Sequence, residues 1–264
     1  VAVRVEILKA RACSRTAKAI LKAMHHAVIE AGDSLVETHT YRGNSDWLML
    51  WGVGAPENDA ARRRHVAAGG RALLWDLGYV CREKEVGHAK MSVDHDHPQQ
   101  WLDKTPPDAT RWDRLRTPLR KDYDPAGHIV LVGMGRKSRA YLHCDDWERR
   151  TFKALQAEFP GRRILHRPKG EDDDYRLPCD RDWQSPIAQV LAGASLVVAR
   201  HSNVCVDAVI AGVPFRAEDG AATWLSGKEY SAVNRRDFLR RLAWWQWKAV
   251  EARQAWAFVK RITA

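Results

Sequence analysis

The stretch Ser195-Leu-Val-Val-Ala-Arg-His-Ser-Asn-Val-Cys-Val-Asp-Ala-Val-Ile-Ala-Gly-Val-Pro214 decides how this chain is read. Ser195 to Ala199 is a short apolar run that suits a buried strand, and Ser202 to Ala211 reads as a helix stopped by Gly212. A buried strand that runs directly into a capped helix is one step of a parallel α/β sheet. The start of such a helix offers unpaired N–H groups and positive dipole character, here beside the side chains of His201, Ser202 and Asn203. Asp207 stands about one turn further on, among Val204, Val206, Ala208, Val209 and Ile210. A carboxylate on so apolar a helix needs a hydrogen-bonding partner. A ribose diol would serve, and so would the backbone or an arginine.

Outward from this stretch the same alternation continues. His128 to Val132 is a strand entering Gly133-Met134-Gly135, Asp145 to Phe159 a helix, Arg163 to His166 a strand and Pro186 to Ala192 a helix. Val213 to Phe215 begins a further strand, and a final helix is expected over Arg235 to Ile262. In the first half, Val1 to Leu8 reads as a strand, followed by a helix from Ser14, its N-cap, to Ala31. A buried strand follows over Asp46 to Gly52, then a helix over Glu57 to Ala68 and a strand over Arg71 to Asp76. Residues 82–127, with Pro98, Pro106, Pro107, Pro118 and Pro125, read as an irregular insert. The fold class is therefore α/β, with two Rossmann-like doubly wound domains, 1–127 and 128–264, facing a crevice. Ligands of such sheets bind beyond the carboxyl ends of the strands.

Two further strand ends stand out. Gly133-Met-Gly-Arg-Lys-Ser138 can let backbone N–H groups approach a phosphate, or it can simply be a tight turn. It departs from both standard fingerprints: Ser138 stands where a dinucleotide loop has its third Gly, and Arg136 where a P-loop has Gly. His166-Arg-Pro-Lys169 delivers two cations to the same rim, for a phosphate or as a solvated basic loop. The run Glu171 to Asp174 beside it reads as a solvated acidic loop.

Taken together, strand–His-Ser-Asn–helix–acid–Gly-Val-Pro, preceded by Arg-Pro-Lys at a strand end, resembles the C-terminal domain of GT-B glycosyltransferases. The resemblance implies a nucleotide-sugar donor, such as a UDP-sugar, bound by Gly135, Ser138, Arg167, Lys169, His201, Ser202, Asn203 and Asp207. The family usually places Glu on this helix for the ribose, and Asp207 is shorter. Glu218-Asp219-Gly220 falls where such enzymes often hold further donor contacts. The family needs no bound metal, and its terminal helix crosses back to the first domain. The layout, with Trp244, Trp245 and Trp247 near the end, looks like bacteriophage-type DNA glycosyltransferases, good over 128–262 and only architectural over 1–80. That likeness implies transfer to the hydroxymethyl group of a modified pyrimidine such as 5-hydroxymethylcytosine, with duplex DNA as partner.

Transfer to a hydroxyl calls for a general base. Val93-Asp-His-Asp-His-Pro98 offers Asp94 and His95, and the strand end at Asp76 offers another carboxylate. Alternatively His95 and His97 could bind a metal with His88, the segment could be a plain polar loop, and Asp76 could cap a local turn. The net charge of +10 is uneven, with 20 Lys and Arg against 17 acids in residues 1–126 and 23 against 16 in 127–264. Arg62–Arg64 and the series Arg111, Arg114, Arg116, Arg120, Lys121 are the candidates for a polyanion surface, unless they are solvated faces. Four of the twelve tryptophans, Trp244, Trp245, Trp247 and Trp256, have spacings that favour core packing over stacking on a flipped base. Five cysteines without a C-x-x-C pair suit reduced thiols in the cytoplasm, which for a phage protein is the host's. No apolar run approaches the ~20 residues of a membrane span, and no secretion signal is read at the start. A monomer without membrane contact is expected. The rival readings are a glycosyltransferase of polysaccharide or lipid-linked sugar and a non-catalytic DNA-binding protein of the same fold.

Overall fold

A computed structural model describes residues 1–9, 14–82, 87–170 and 175–264 of the chain. The acidic run Glu171 to Asp174 and Cys13 lie outside the described residues. The chain divides into two compact units, residues 1–111 with 240–264, and residues 112–239. This differs from the expected boundary at 127/128. Residues 120–124 belong with the second unit because the N–H groups of Arg120, Asp122 and Asp124 donate to the carbonyls of Ile210, Ala211 and Ala194.

In the first unit the elements are β1 (Arg4–Leu8), α1 (Arg15–Glu30), β2 (Ser34–Thr38), β3 (Trp47–Trp51), α2 (Pro56–Ala67), β4 (Arg71–Leu77) and β5 (Ala89–Val93). Ser14 caps α1, its hydroxyl accepting the Ala17 N–H at 3.2 Å. A short helix α3 (Ala109–Arg114) follows. β2, β1, β3 and β4 lie side by side and parallel, whereas β5 runs antiparallel to β4. The expected insert thus holds a fully buried sheet strand, Ala-Lys-Met-Ser-Val, whose Lys90 and Ser92 interrupt the apolar pattern.

The second unit contains β6 (His128–Val132), α4 (Arg136–Leu142), α5 (Trp147–Glu158), β7 (Ile164–Arg167), β8 (Asp180–Arg181), α6 (Ile187–Leu191), β9 (Ala194–Ala199), α7 (Val204–Ala211) and β10 (Phe215–Ala217). Its sheet has the order β10-β9-β6-β7-β8 and is parallel throughout. From β6 the chain winds first toward β7 and β8, then returns to β9 on the other side of β6. The topological switch point therefore lies between β6 and β9.

The chain leaves the second unit along α8 (Ala232–Leu242) and returns to the first through β11 (Gln246–Trp247) and α9 (Ala252–Thr263). The single terminal helix expected over 235–262 is thus broken at Ala243 to Glu251. Gln246 and Trp247 pair antiparallel with Lys90 and Ala89, and the Gln246 amide oxygen accepts the N–H groups of Tyr79 and Val80. Such a pairing needs extended backbone, which a helix cannot supply. Trp245, Trp247 and Trp256 are fully buried in the core of the first unit, as their spacing suggested.

Candidate functional site

Four strand exits line the carboxyl edge of the second sheet. β6 leads into Gly133-Met134-Gly135, β7 into Pro168-Lys169, β9 into Arg200-His201-Ser202-Asn203, and β10 into Glu218-Asp219-Gly220. Parallel pairing of β6 with both β7 and β9 puts the first three exits side by side. Gly133 of the β6 turn is sterically required, and Gly135 stands close to the Lys169 side chain. A Cβ on Gly133 would lie 2.9 Å from His166 Nε2 and 3.1 Å from Pro168 Cα, and one on Gly135 would lie 3.3 Å from Lys169 Cγ. The turn is therefore seated directly on the exit of β7, with the Gly133 N–H bonded to the Arg167 carbonyl at 2.8 Å.

The β9 exit shows how the His-Ser-Asn sequence works. Ser202 Oγ accepts the Val204 N–H at 3.2 Å, so the serine closes the turn into α7. Asn203 is the N-cap residue by position, with helical backbone and no side-chain cap bond. Asp207 lies in the first turn of α7, half-buried, on a helix whose other residues from Cys205 to Ala211 are buried. Burial pushes the neighbouring Cys205 thiol up to about 12, with the Asp207 charge adding to the shift. Gly220, at φ 109°, approaches His201: a Cβ there would sit 3.6 Å from the His201 carbonyl. The β10 exit is fastened to β9 because the N–H groups of Glu218 and Asp219 both donate to the Arg200 carbonyl. Arg200 pairs with Glu218 at 2.9 Å, and the Trp147 indole N–H donates to the same carboxylate.

Of the two cations expected at β7, they separate in role. Lys169 is exposed. Arg167 turns to Asp182, donating to its carbonyl at 2.9 Å and lying 3.4 Å from its carboxylate. Asp182 is held below the usual carboxylate range by hydrogen bonds from Ser185, then Gln184, and by Arg167. Arg167 thus braces a loop before it could reach a ligand. Ser138 is partly exposed in the first turn of α4, and Gly135 is the N-cap of that helix. Gly135, Ser138, Lys169, His201, Ser202, Asn203 and Asp207 all belong to this edge or to the first turn beyond it.

The acceptor-side candidates divide by sheet edge. Asp94 lies at the amino end of β4, with φ 66°, and both carboxylate oxygens are committed: one accepts the Ala72 N–H at 2.8 Å, the other pairs with Arg71 at 3.0 Å. Arg62 donates to the Asp94 carbonyl at 2.7 Å. Asp94 is a sheet bracket, and His95 beside it sits at the same amino edge, exposed, its carbonyl taken by Ser92. His97 is buried 3.1 Å from the Tyr79 hydroxyl. Among the described residues no group of three His, Cys, Asp or Glu could hold a metal ion. Asp76, by contrast, is the penultimate residue of β4 at the carboxyl edge, one oxygen accepting the Leu77 N–H at 2.7 Å. Next to it the β3 exit turns at Gly52, with φ 65°, where Asn58 of α2 donates to the carbonyls of Trp51 and Gly52.

Behind the β6 turn three residues are buried, Arg139, Glu148 and His166; the first two were not picked out from the sequence, and the third opens the His-Arg-Pro-Lys strand end. Glu148 begins a helical stripe with Phe152 and Leu155 at spacings of four and three, so an acid on the apolar face of α5 was the available signal.

No protein-family model matches this chain, and no curated protein is similar to it in sequence. Among solved structures, the β-Kdo 2,4-transferase of KpsC from Thermosulfurimonas dismutans is similar at TM-score 0.53 and 14% identity, over 91% of this chain and 89% of that one. The β-Kdo 2,7-transferase of KpsC from the same organism is similar at TM-score 0.50 and 13% identity, over 97% and 99%. The two Rossmann-like units are therefore the fold of these chains over nearly their whole length. Among the described residues no helix is long and apolar enough to cross a membrane.

Proposed function

We propose that this chain is a glycosyltransferase that binds a nucleotide-sugar donor on its second unit. The observation that carries this reading is the switch point of an all-parallel sheet, where a turn with no room for a side chain at Gly133, an exposed lysine and a serine-closed helix start stand at adjacent strand exits. The start of α7 and Lys169 supply positive charge for the phosphates, and Asp207 holds the ribose hydroxyls. These groups stabilise the departing nucleotide without a bound metal. Asp76 is the carboxylate suited to take the acceptor proton, since it ends β4 on the ligand-binding edge of its own sheet.

The acceptor favoured is a glycan hydroxyl, in keeping with the Kdo transferases that share the fold. The pairing of Arg62, Arg63, Arg111 and Arg120 supports this choice over DNA, while Arg64, Arg114, Arg116 and Lys121 are exposed. Arg62 and Arg63 close on Asp59, Arg111 on Glu251, and Arg120 on Asp122. A hydroxymethylpyrimidine of duplex DNA is the second reading, favoured by the net charge of +10.

Thermal unfolding in a panel of nucleotide sugars, UDP-sugars and CMP-Kdo included, tests the donor. At least one should raise the midpoint, and Asp207→Ala should abolish that shift. The same donor is then incubated with an oligosaccharide panel and with hydroxymethylated duplex DNA, and the products are weighed by mass spectrometry. A sugar added to the glycan supports the preferred acceptor, and one added to a base supports DNA. If no nucleotide sugar binds, the glycosyltransferase reading is wrong.

A further inference from the structure

Behind the β6 turn, side chains from α4, α5 and β7 converge on one peptide unit. Glu148 is 1% exposed, Arg139 6% and His166 1%. One Glu148 oxygen accepts the Met134 N–H at 2.7 Å and pairs with the Arg139 guanidinium at 2.9 Å. Arg139 also donates to the Met134 carbonyl at 2.6 Å. The second Glu148 oxygen approaches His166 Nε2 to 3.3 Å. The Met134 side chain is itself part of the core beneath the sheet, packed with Trp147, Phe152 and Leu131. Donor, acceptor and side chain of a single residue in the middle of the turn are thus all held from inside.

A buried ion pair is a poor stabiliser, because an apolar pair of the same size usually serves the fold as well or better. What this pair does that an apolar one cannot is grip both polar groups of the Met134 backbone. We propose that Glu148 is a positioning residue: with Arg139 it fixes the Gly133–Gly135 turn and, through the contact of Gly135 with the Lys169 stem, the place of the β7 cation. Arg139, despite its position in the run Arg136-Lys-Ser-Arg139, is a brace facing inward and not a phosphate ligand. This role rests on the reading of the carboxyl edge as a nucleotide site.

Two double variants separate positioning from stability. R139M/E148L replaces the ion pair by apolar side chains and leaves the Met134 N–H without an acceptor. R139M/E148Q also removes the charges but keeps an amide oxygen for that N–H. Two readouts are taken on the full chain: amide hydrogen exchange over residues 133–139 without ligand, and affinity for UDP, GDP and CMP by calorimetry. R139M/E148L should exchange faster and bind the nucleotide about tenfold more weakly than wild type, while R139M/E148Q, which keeps an acceptor for the Met134 N–H but loses the Arg139 bond to the Met134 carbonyl, falls between the two on both. Equal behaviour of the two variants in exchange, or wild-type affinity in R139M/E148L, overturns the proposal. Should R139M/E148L not fold, G133A displaces the same turn from the β7 side, and unchanged nucleotide affinity in it overturns the proposal as well. If wild type binds none of the three nucleotides, the nucleotide reading fails and the positioning role falls with it. A difference in exchange between the doubles would then still show that the turn is gripped, which separates the two failures.

Discussion

Arginine and aspartate are gathered both at the amino edge of the first sheet and at the carboxyl edge of the second, to opposite effect. At the first, charge closes on itself. Burial would raise the Asp59 carboxyl, but Arg62 and Arg63 outweigh it and hold the group below its usual range. Arg71 and the Ala72 N–H occupy both oxygens of Asp94. At the second edge Arg167 closes on Asp182, and the side chains of Arg136, Lys137 and Lys169 are solvent-exposed around the Gly133–Gly135 turn. Charge in a sequence therefore says little until its partners are counted.

The contrast predicts that substitutions in the first unit act on stability and leave nucleotide affinity alone. The largest effect is expected from Trp247→Ala. This ring is 1% exposed, carries the Arg111 guanidinium 3.4 Å from its centroid and donates its indole N–H to the Trp244 carbonyl. Its removal should cost about 3–5 kcal/mol in urea unfolding. Asp94→Ala comes next at about 2 kcal/mol, since it strips the Ala72 N–H and Arg71 of their acceptor. In both variants, calorimetry below the unfolding range should give wild-type nucleotide affinity. A matching loss of affinity would break the distinction between the two edges.

The reverse holds for Lys169→Ala. Its ammonium is exposed, so unfolding free energy should move by less than about 0.5 kcal/mol. Nucleotide affinity should fall about tenfold, and the drop should shrink as salt is raised. A variant that loses stability but not affinity would show that the carboxyl edge is as self-contained as the amino edge.

Much of the fold was legible because the second unit is built from short apolar runs, each ended by glycine or a capping residue. His128 to Val132 is a strand within its expected bounds, and Ser14 caps the first helix as its position suggests. The strand β5 alternates apolar and polar over only five residues inside the proline-rich stretch 82–127, and its Lys90 and Ser92 are buried where that alternation would place them in water. The break in the terminal helix was hidden because Trp-Trp-Gln-Trp carries no glycine or proline; the amide of Gln246, bonded to Tyr79 and Val80 from 167 and 166 residues away, imposes it. At the site, the residues near the backbone turns were visible through their local chemistry. Asp76 was legible as the end of its strand, whereas the edge occupied by Asp94 depends on the antiparallel course of β5.

The smallest effect sharpens the same comparison through pH. Asp33 follows α1 and fastens α9: its carboxylate accepts the Val3 N–H at 2.9 Å and the Trp256 indole N–H at 2.7 Å, and pairs with Lys260 at 2.9 Å. Burial alone would raise this carboxyl, but the bonds from Val3, Lys260 and Trp256 outweigh it and hold it below its ordinary value. A carboxyl depressed in the folded state adds stability above its unfolded value of about 3.9, and that stability is lost as pH falls through the lower folded value. Asp33→Asn should therefore be less stable than wild type by about 1 kcal/mol at pH 7, with the gap closing below about pH 4. Urea midpoints at pH 7, 4 and 3 measure this. Asp33 belongs to the first unit and Lys169 to the second, so the nucleotide affinity lost in Lys169→Ala should not track the Asp33 titration; a shared pH dependence would mean that the two units do not hold their charges independently.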